Sequence, residues 1–108
     1  MPLCVLRTNL RHSAFGEDFH RLFSKCVADA LNKPHEKVTV VLENEANMSR
    51  GGSKESTVWL TIESVGVFSA EKNKQISQTL RAHLRNLILV PENRVVITLR
   101  DLPKDELV

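Results

Sequence analysis

The chain has 108 residues, 42% hydrophobic and 26% charged, and its fifteen Lys/Arg against thirteen Asp/Glu leave a net charge of +2. That is enough for one domain, which buries roughly 60–65% of its unfolded surface, and the balanced, interspersed charge points away from a dedicated nucleic-acid or membrane-surface binder. No apolar run approaches the ~18–20 residues of a membrane span, and the two cysteines, Cys4 and Cys26, lie outside any CxxC pair and read as reduced thiols of a cytoplasmic-type protein.

The first apolar stretch, Leu3 to Leu6, is cut short by Arg7. It is too brief for a signal peptide and reads as a strand, Leu3–Arg7. Phe19, Leu22, Phe23, Cys26, Val27, Ala30 and Leu31 then recur at helical spacing and predict one apolar stripe, with Asn32 as a left-handed cap. Pro34 forbids continuation, and the β-branched run Val38-Thr39-Val40-Val41-Leu42 predicts a strand. Residues 44–56 are polar, contain Gly51-Gly52 and read as a linker. From Thr57 to Glu63, Val58, Leu60 and Ile62 alternate with Thr57, Trp59 and Thr61, as in a sheet. Ser69 fits an N-cap for a helix from Ala70 to Ile88 with the stripe Ile76, Leu80, Leu84, Leu87 and Ile88.

The segment from Val90-Pro91 to Leu99 then repeats that from Lys33-Pro34 to Leu42 at a constant offset of 57 residues. The fold class is therefore α/β (α+β). Two βαβ repeats, 2–43 and 57–101, are joined by the 44–56 linker, with a short tail at 102–108. Right-handed crossovers give a four-stranded mixed sheet with both helices on one face. The other face, which carries Trp59, is expected to be covered by self-association.

Pro2 is the residue that points to chemistry. Removal of the initiator Met would leave a secondary amine opening an apolar strand. A terminal amine titrates near 7.7–8.0, and burial or a nearby Lys lowers it, making a general base near neutral pH. Met-Pro is also simply a common protein start. Lys33 equally serves as a favourable cation at a helix C-terminus, Val65 as a strand-packing residue and Gly66 as a bulge. His12, His20, His35 and His83 show no HxxxH or HExxH spacing, so no metal site is expected. Cys4 and Cys26 read as core thiols.

Met1-Pro2, Thr8-Asn9, Lys33-Pro34, Met48 followed by Gly51-Gly52-Ser53, Ser64-Val65-Gly66, Asn73, Arg94-Val95 and Asp101 occur in order at a shared spacing. Together they resemble the macrophage migration inhibitory factor family of the tautomerase superfamily. The resemblance implies the same βαβ–βαβ fold, a homotrimeric ring with active sites between subunits, and keto–enol tautomerisation without a cofactor. The substrate would be a small aromatic keto/enol acid of phenylpyruvate or dopachrome type. In that reading Pro2 is the catalytic base, Lys33 holds the substrate's acid group, the backbone at Val65 donates a hydrogen bond to it, and Val96 and Thr98 line the pocket.

Three departures stand out. Val96 and Thr98 occupy positions where the family's founding member has Tyr and Asn. Thr57 and Leu60 stand where it has a CxxC pair, so no redox activity is assigned. The chain stops at Val108, before a Gly-aromatic-Asn turn that helps close the pocket in relatives. These motivate an alternative function, a cytokine-like ligand of a cell-surface receptor with a vestigial pocket. Location is expected to be cytoplasmic, with release from cells by a route that needs no signal peptide.

Overall fold

Alternation and helical spacing decide which side of each element is dry. A computed structural model describes residues 1–108 and contains β1 (Leu3–Thr8), α1 (Phe19–Leu31), β2 (Thr39–Glu43), β3 (Val58–Ser64), α2 (Ala70–Ile88) and β4 (Val95–Asp101), with single 3-10 turns between several of them. The sheet order is β2-β1-β3-β4. β1 runs parallel to β2 and antiparallel to β3, and β3 runs parallel to β4. Both helices lie on one face, as the two βαβ repeats require. Cys4, Leu6, Val58, Leu60, Ile62 and Val95 turn toward them and are buried. No helix is long and apolar enough to cross a membrane.

Each helix buries one ridge of residues four apart. In α1 it is Phe19, Phe23, Val27 and Leu31, with Ala28 buried beside it; in α2 it is Ile76, Leu80, Leu84 and Ile88. Each member of the second ridge lies 57 residues after its counterpart in the first (19 to 76, 31 to 88), so the repeat extends through the helices. The sequence stripe on α1 was broader than the buried ridge. Leu22, Cys26 and Ala30 form the neighbouring i, i+4, i+8 row, which sits at the rim: Leu22 is exposed and the other two are half-buried. Leu87 is likewise half-buried.

The caps follow the same repeat. Asn32 closes α1 in the left-handed region at φ 54°, and Ser69 caps α2 by accepting from the Lys72 N–H at 3.2 Å. Leu89, 57 residues after Asn32, closes α2 at φ 59° and is 82% exposed. A branched, apolar residue gains nothing there and bears a Cβ clash that Asn and Gly tolerate better. Leu89→Asn is expected to stabilise the fold by about 0.5–1 kcal/mol, read as a higher urea midpoint with an unchanged slope.

The two thiols differ. Cys4 is fully buried under the helices, and desolvation pushes its thiol from 9.0 to about 12. Cys26 is also raised, by partial burial and then by Asp29. Between about pH 9 and 12 the unfolded Cys4 ionises while the folded one does not. The unfolded state then binds fewer protons, and stability falls as pH rises. Iodoacetamide at about pH 8 is expected to label Cys26 well before Cys4, with the difference abolished in denaturant. Equal labelling of the folded protein would show that Cys4 is not sealed.

Candidate active site

The first group of candidate residues gathers where β1 begins and β3 ends. Leu3 pairs with Thr39 and Glu63, so Pro2 lies level with Val38 and Ser64, one residue from Val65. The Pro2 side chain is fully buried, and its carbonyl accepts from the Thr39 N–H at 3.0 Å. The turn after β3 is fixed from β4. Gly66 sits at φ 71°, its N–H donates to Asp101 Oδ1 at 2.9 Å, and the Leu102 N–H donates to the Ser64 carbonyl at 2.9 Å. A left-handed turn of this kind favours glycine. Val65 is half-buried at this turn.

Lys33 follows the left-handed cap of α1, and its N–H donates to the Ala28 carbonyl at 2.9 Å. Its ammonium forms no ion pair within the chain. It lines a polar cleft of about 620 Å³ between the end of α1 and the start of α2, together with Asp29, Asn32, Gly66, Lys72 and Thr79. Beside this corner the Ser64 hydroxyl is buried without a hydrogen-bond partner. The corner brings together a buried proline at a strand start, whose nitrogen is an amide while Met1 precedes it, and a rigid backbone turn, with Lys33 in the cleft that Gly66 also lines. An amine released at that strand start, with a cation and backbone N–H groups close by, would suit abstraction of a proton next to a carbonyl.

Val96 and Thr98 are elsewhere. Val96 pairs with Trp59, and Trp59 with Arg7, whereas Asp101 pairs with Ser64 at the Pro2 end. Five residues of strand therefore separate Val96 from the level of Pro2, roughly 16 Å along the strand and about 10 Å across two strand spacings. They also project from the face opposite the helices. They line a second hollow of about 380 Å³ with Met48, Arg50, Thr57 and Trp59. The candidate residues thus fall into two separate groups, Pro2, Lys33 and Val65 toward one end of the sheet and Val96 and Thr98 toward the other.

The loop bordering the second hollow is held firmly. Gly51 and Gly52 take φ 58° and 79°, and the Arg50 and Ser53 backbones exchange hydrogen bonds of 2.9 and 3.0 Å. The Arg94 guanidinium donates to the carbonyls of Arg50, Ser53, Glu55 and Ser56 at 2.9–3.3 Å. Asn9 completes the anchor, with Nδ2 donating to the Lys54 and Glu55 carbonyls at 3.0 Å and Oδ1 accepting from the Thr57 N–H at 2.9 Å.

A family model described as macrophage migration inhibitory factor (MIF) matches residues 1–107. The chain belongs to the macrophage migration inhibitory factor family. Its curated relatives include a macrophage migration inhibitory factor homolog of Trichinella spiralis, 30% identical over 98% of this chain and 93% of the relative. D-dopachrome decarboxylase-B of Xenopus laevis is 31% identical over 90% of this chain and 83% of its own length. Among solved structures, the Trichinella spiralis factor superposes with a TM-score of 0.94 at 28% identity, over 98% of this chain and 94% of that one. The factor from Oncomelania hupensis superposes with a TM-score of 0.89 at 25% identity, over 95% and 75%.

Several residues that carried the resemblance to the MIF family are scaffold. Thr8 is buried and donates through Oγ1 to the Thr57 carbonyl at 2.7 Å, and Asn9, Arg94 and Asp101 fasten loops as described. Sequence reasoning did not place Trp59 beside Val96. Alternation put it on the open face, but only the β3–β4 register makes the two neighbours.

Proposed function

We propose that this protein is a cofactor-independent keto–enol tautomerase acting on small aromatic keto/enol acids of phenylpyruvate or dopachrome type. Membership of the MIF family supports tautomerase- or cytokine-like function, and self-association, in general. The single observation that carries the enzymatic reading is that buried Pro2 lies level with Ser64, beside the Val65-Gly66 turn, and that Gly66 shares a cleft with Lys33. Once Met1 is removed, the Pro2 amine takes the proton from the carbon next to the carbonyl. Negative charge develops on oxygen, Lys33 and the backbone at Val65 stabilise it, and the proton returns from the amine to the other atom of the enol system. The separation of the two groups, each a half-site on this reading, supports a homotrimer in which Val96 and Thr98 of a neighbouring copy close the pocket over Pro2.

The second reading, a cytokine-like ligand of a cell-surface receptor, is favoured by Val96 and Thr98 standing in place of an aromatic and an amide. On either reading we place the protein in the cytoplasm. The test is conversion of enol-phenylpyruvate to the keto form, followed by ultraviolet absorbance. It compares protein shown by mass to lack Met1 with protein carrying one extra residue before Pro2. Conversion by the first and none by the second is expected, because an amide nitrogen is no base. Equal rates would remove Pro2 from the chemistry, and no conversion by either would favour the receptor ligand.

A further inference from the structure

We propose that Trp59 and Arg50 determine the specificity of the second half-site, and that they select a flat aromatic acid carrying an additional anionic group on its ring. This inference rests on the tautomerase reading and deepens it. With Val96 at its position, β4 offers no aromatic side chain to this hollow. The ring comes instead from the adjacent strand. Trp59 is Val96's register partner, lines the same hollow and, in the single chain, leaves 42% of its surface exposed for a ligand or a neighbouring copy although it is held in place. Its Nε1–H donates to Thr98 Oγ1 at 3.0 Å, and Thr98 Oγ1 lies 3.0 Å from Thr61 Oγ1. The Arg7 guanidinium lies 5.1 Å from the ring centroid and is itself paired with Glu43 at 2.9 Å. This belt crosses all four strands. It fixes the indole's orientation before any ligand arrives, so a ring stacking on it loses little further side-chain freedom.

The charge comes from the loop. Arg50 lines the hollow. Its backbone is pinned by Ser53 and by Arg94, while its guanidinium has no hydrogen-bond or ion-pair partner in the chain. A fixed backbone that presents an unpaired guanidinium beside an exposed indole suits a carboxylate attached to an aromatic ring. The guanidinium takes the carboxylate in a two-pronged bond and the indole covers the ring. Lys33 is the free cation of the first half-site. A substrate lying across the completed site would therefore meet a cation at each end, and a dianionic aryl acid would satisfy both.

Trp59 is the chain's only tryptophan, so its fluorescence reports this hollow directly and independently of turnover. Titration of the protein lacking Met1 with phenylacetate and with 4-carboxyphenylacetate is expected to quench Trp59, with the dianion binding about tenfold more tightly. Arg50→Gln, an exposed substitution, is expected to bring the two ligands to equal affinity. Trp59→Leu, read by calorimetry, is expected to weaken both alike. Equal affinity in the wild type, or a preference that survives Arg50→Gln, would overturn the assignment. Absence of quenching in a protein whose turnover requires Pro2 would overturn this inference alone. The expected binding pattern in a protein whose turnover ignores Pro2 would uphold the hollow and remove the tautomerase reading.

Discussion

Replacing Pro2 by Gly is expected to slow enol-to-keto conversion of phenylpyruvate by about a hundredfold or more. The variant keeps a terminal amine, so the loss reflects how that amine is held. The Pro2 ring is fully buried, and its carbonyl is tied to β2 by the Thr39 N–H. These two constraints fix the direction of the nitrogen. Glycine keeps the backbone bond but loses the ring, and its rotational freedom lets the amine leave the line of attack. Removing the ring from one strand end leaves the rest of the sheet ladder untouched, so circular dichroism should match wild type. The loss should fall on kcat more than on KM, because Lys33 remains to hold the acid group. Mass spectrometry must show Met1 absent from both proteins. A Pro2→Gly protein as fast as wild type would move the base elsewhere.

Phe23→Ala is expected to cost about 3–5 kcal/mol of folding stability, a large share of the ~5–15 kcal/mol that holds a domain together. Phe23 is fully buried at the middle of the α1 ridge. It stacks on Phe19 with centroids 5.4 Å apart, and Phe19 meets Phe15 edge-on at 4.8 Å. Truncation leaves a void beneath Phe19 in the core that the neighbouring helix and sheet cannot fill without moving. Because α1 carries Lys33 just past its cap, the damage would also reach the cleft. Urea unfolding at one fixed protein concentration reads the effect, since self-association would make stability depend on concentration. Leu22→Ala, on the exposed rim row, serves as the control and is expected to cost under about 1 kcal/mol. Similar losses at both positions would mean that α1 is rotated from the placement described.

Much of this was legible in the residues. The helix bounds of α1 and α2, the Asn32 and Ser69 caps and the alternation of β3 follow from local signals: apolar spacing, a polar side chain at a cap, a β-branched run. What the residues could not display was register. Nothing in the sequence near Trp59 says that it lies beside Val96, because that adjacency depends on how two strands 37 residues apart slide past each other. For the same reason Pro2 and Val96 could be expected at one site by family resemblance, while the fold puts them at opposite ends of the sheet. Leu89 was hidden for a different reason. A leucine carries no local preference for a left-handed cap, and only its place 57 residues after Asn32 gives it away. Arg50 carries no local signal of a site; only the Gly51-Gly52 turn and Arg94, which fix its loop, bring it to the hollow.

The 57-residue offset also explains why a chain made of two like halves would do its chemistry in only one. The counterpart of Lys33 is Val90, which is fully buried, so the second half has a core residue where the first has its proposed anchoring cation. Nor could it hold an equivalent base. The strand that matches β1 starts in mid-chain, where the nitrogen is an amide, and only a polypeptide's first residue has a backbone amine to offer. The scaffold occurs twice, but a starting amine exists once per molecule. On the proposed tautomerase reading the later half would serve as ballast and, through Val96, Thr98 and Trp59, as a wall for a neighbouring copy's reaction.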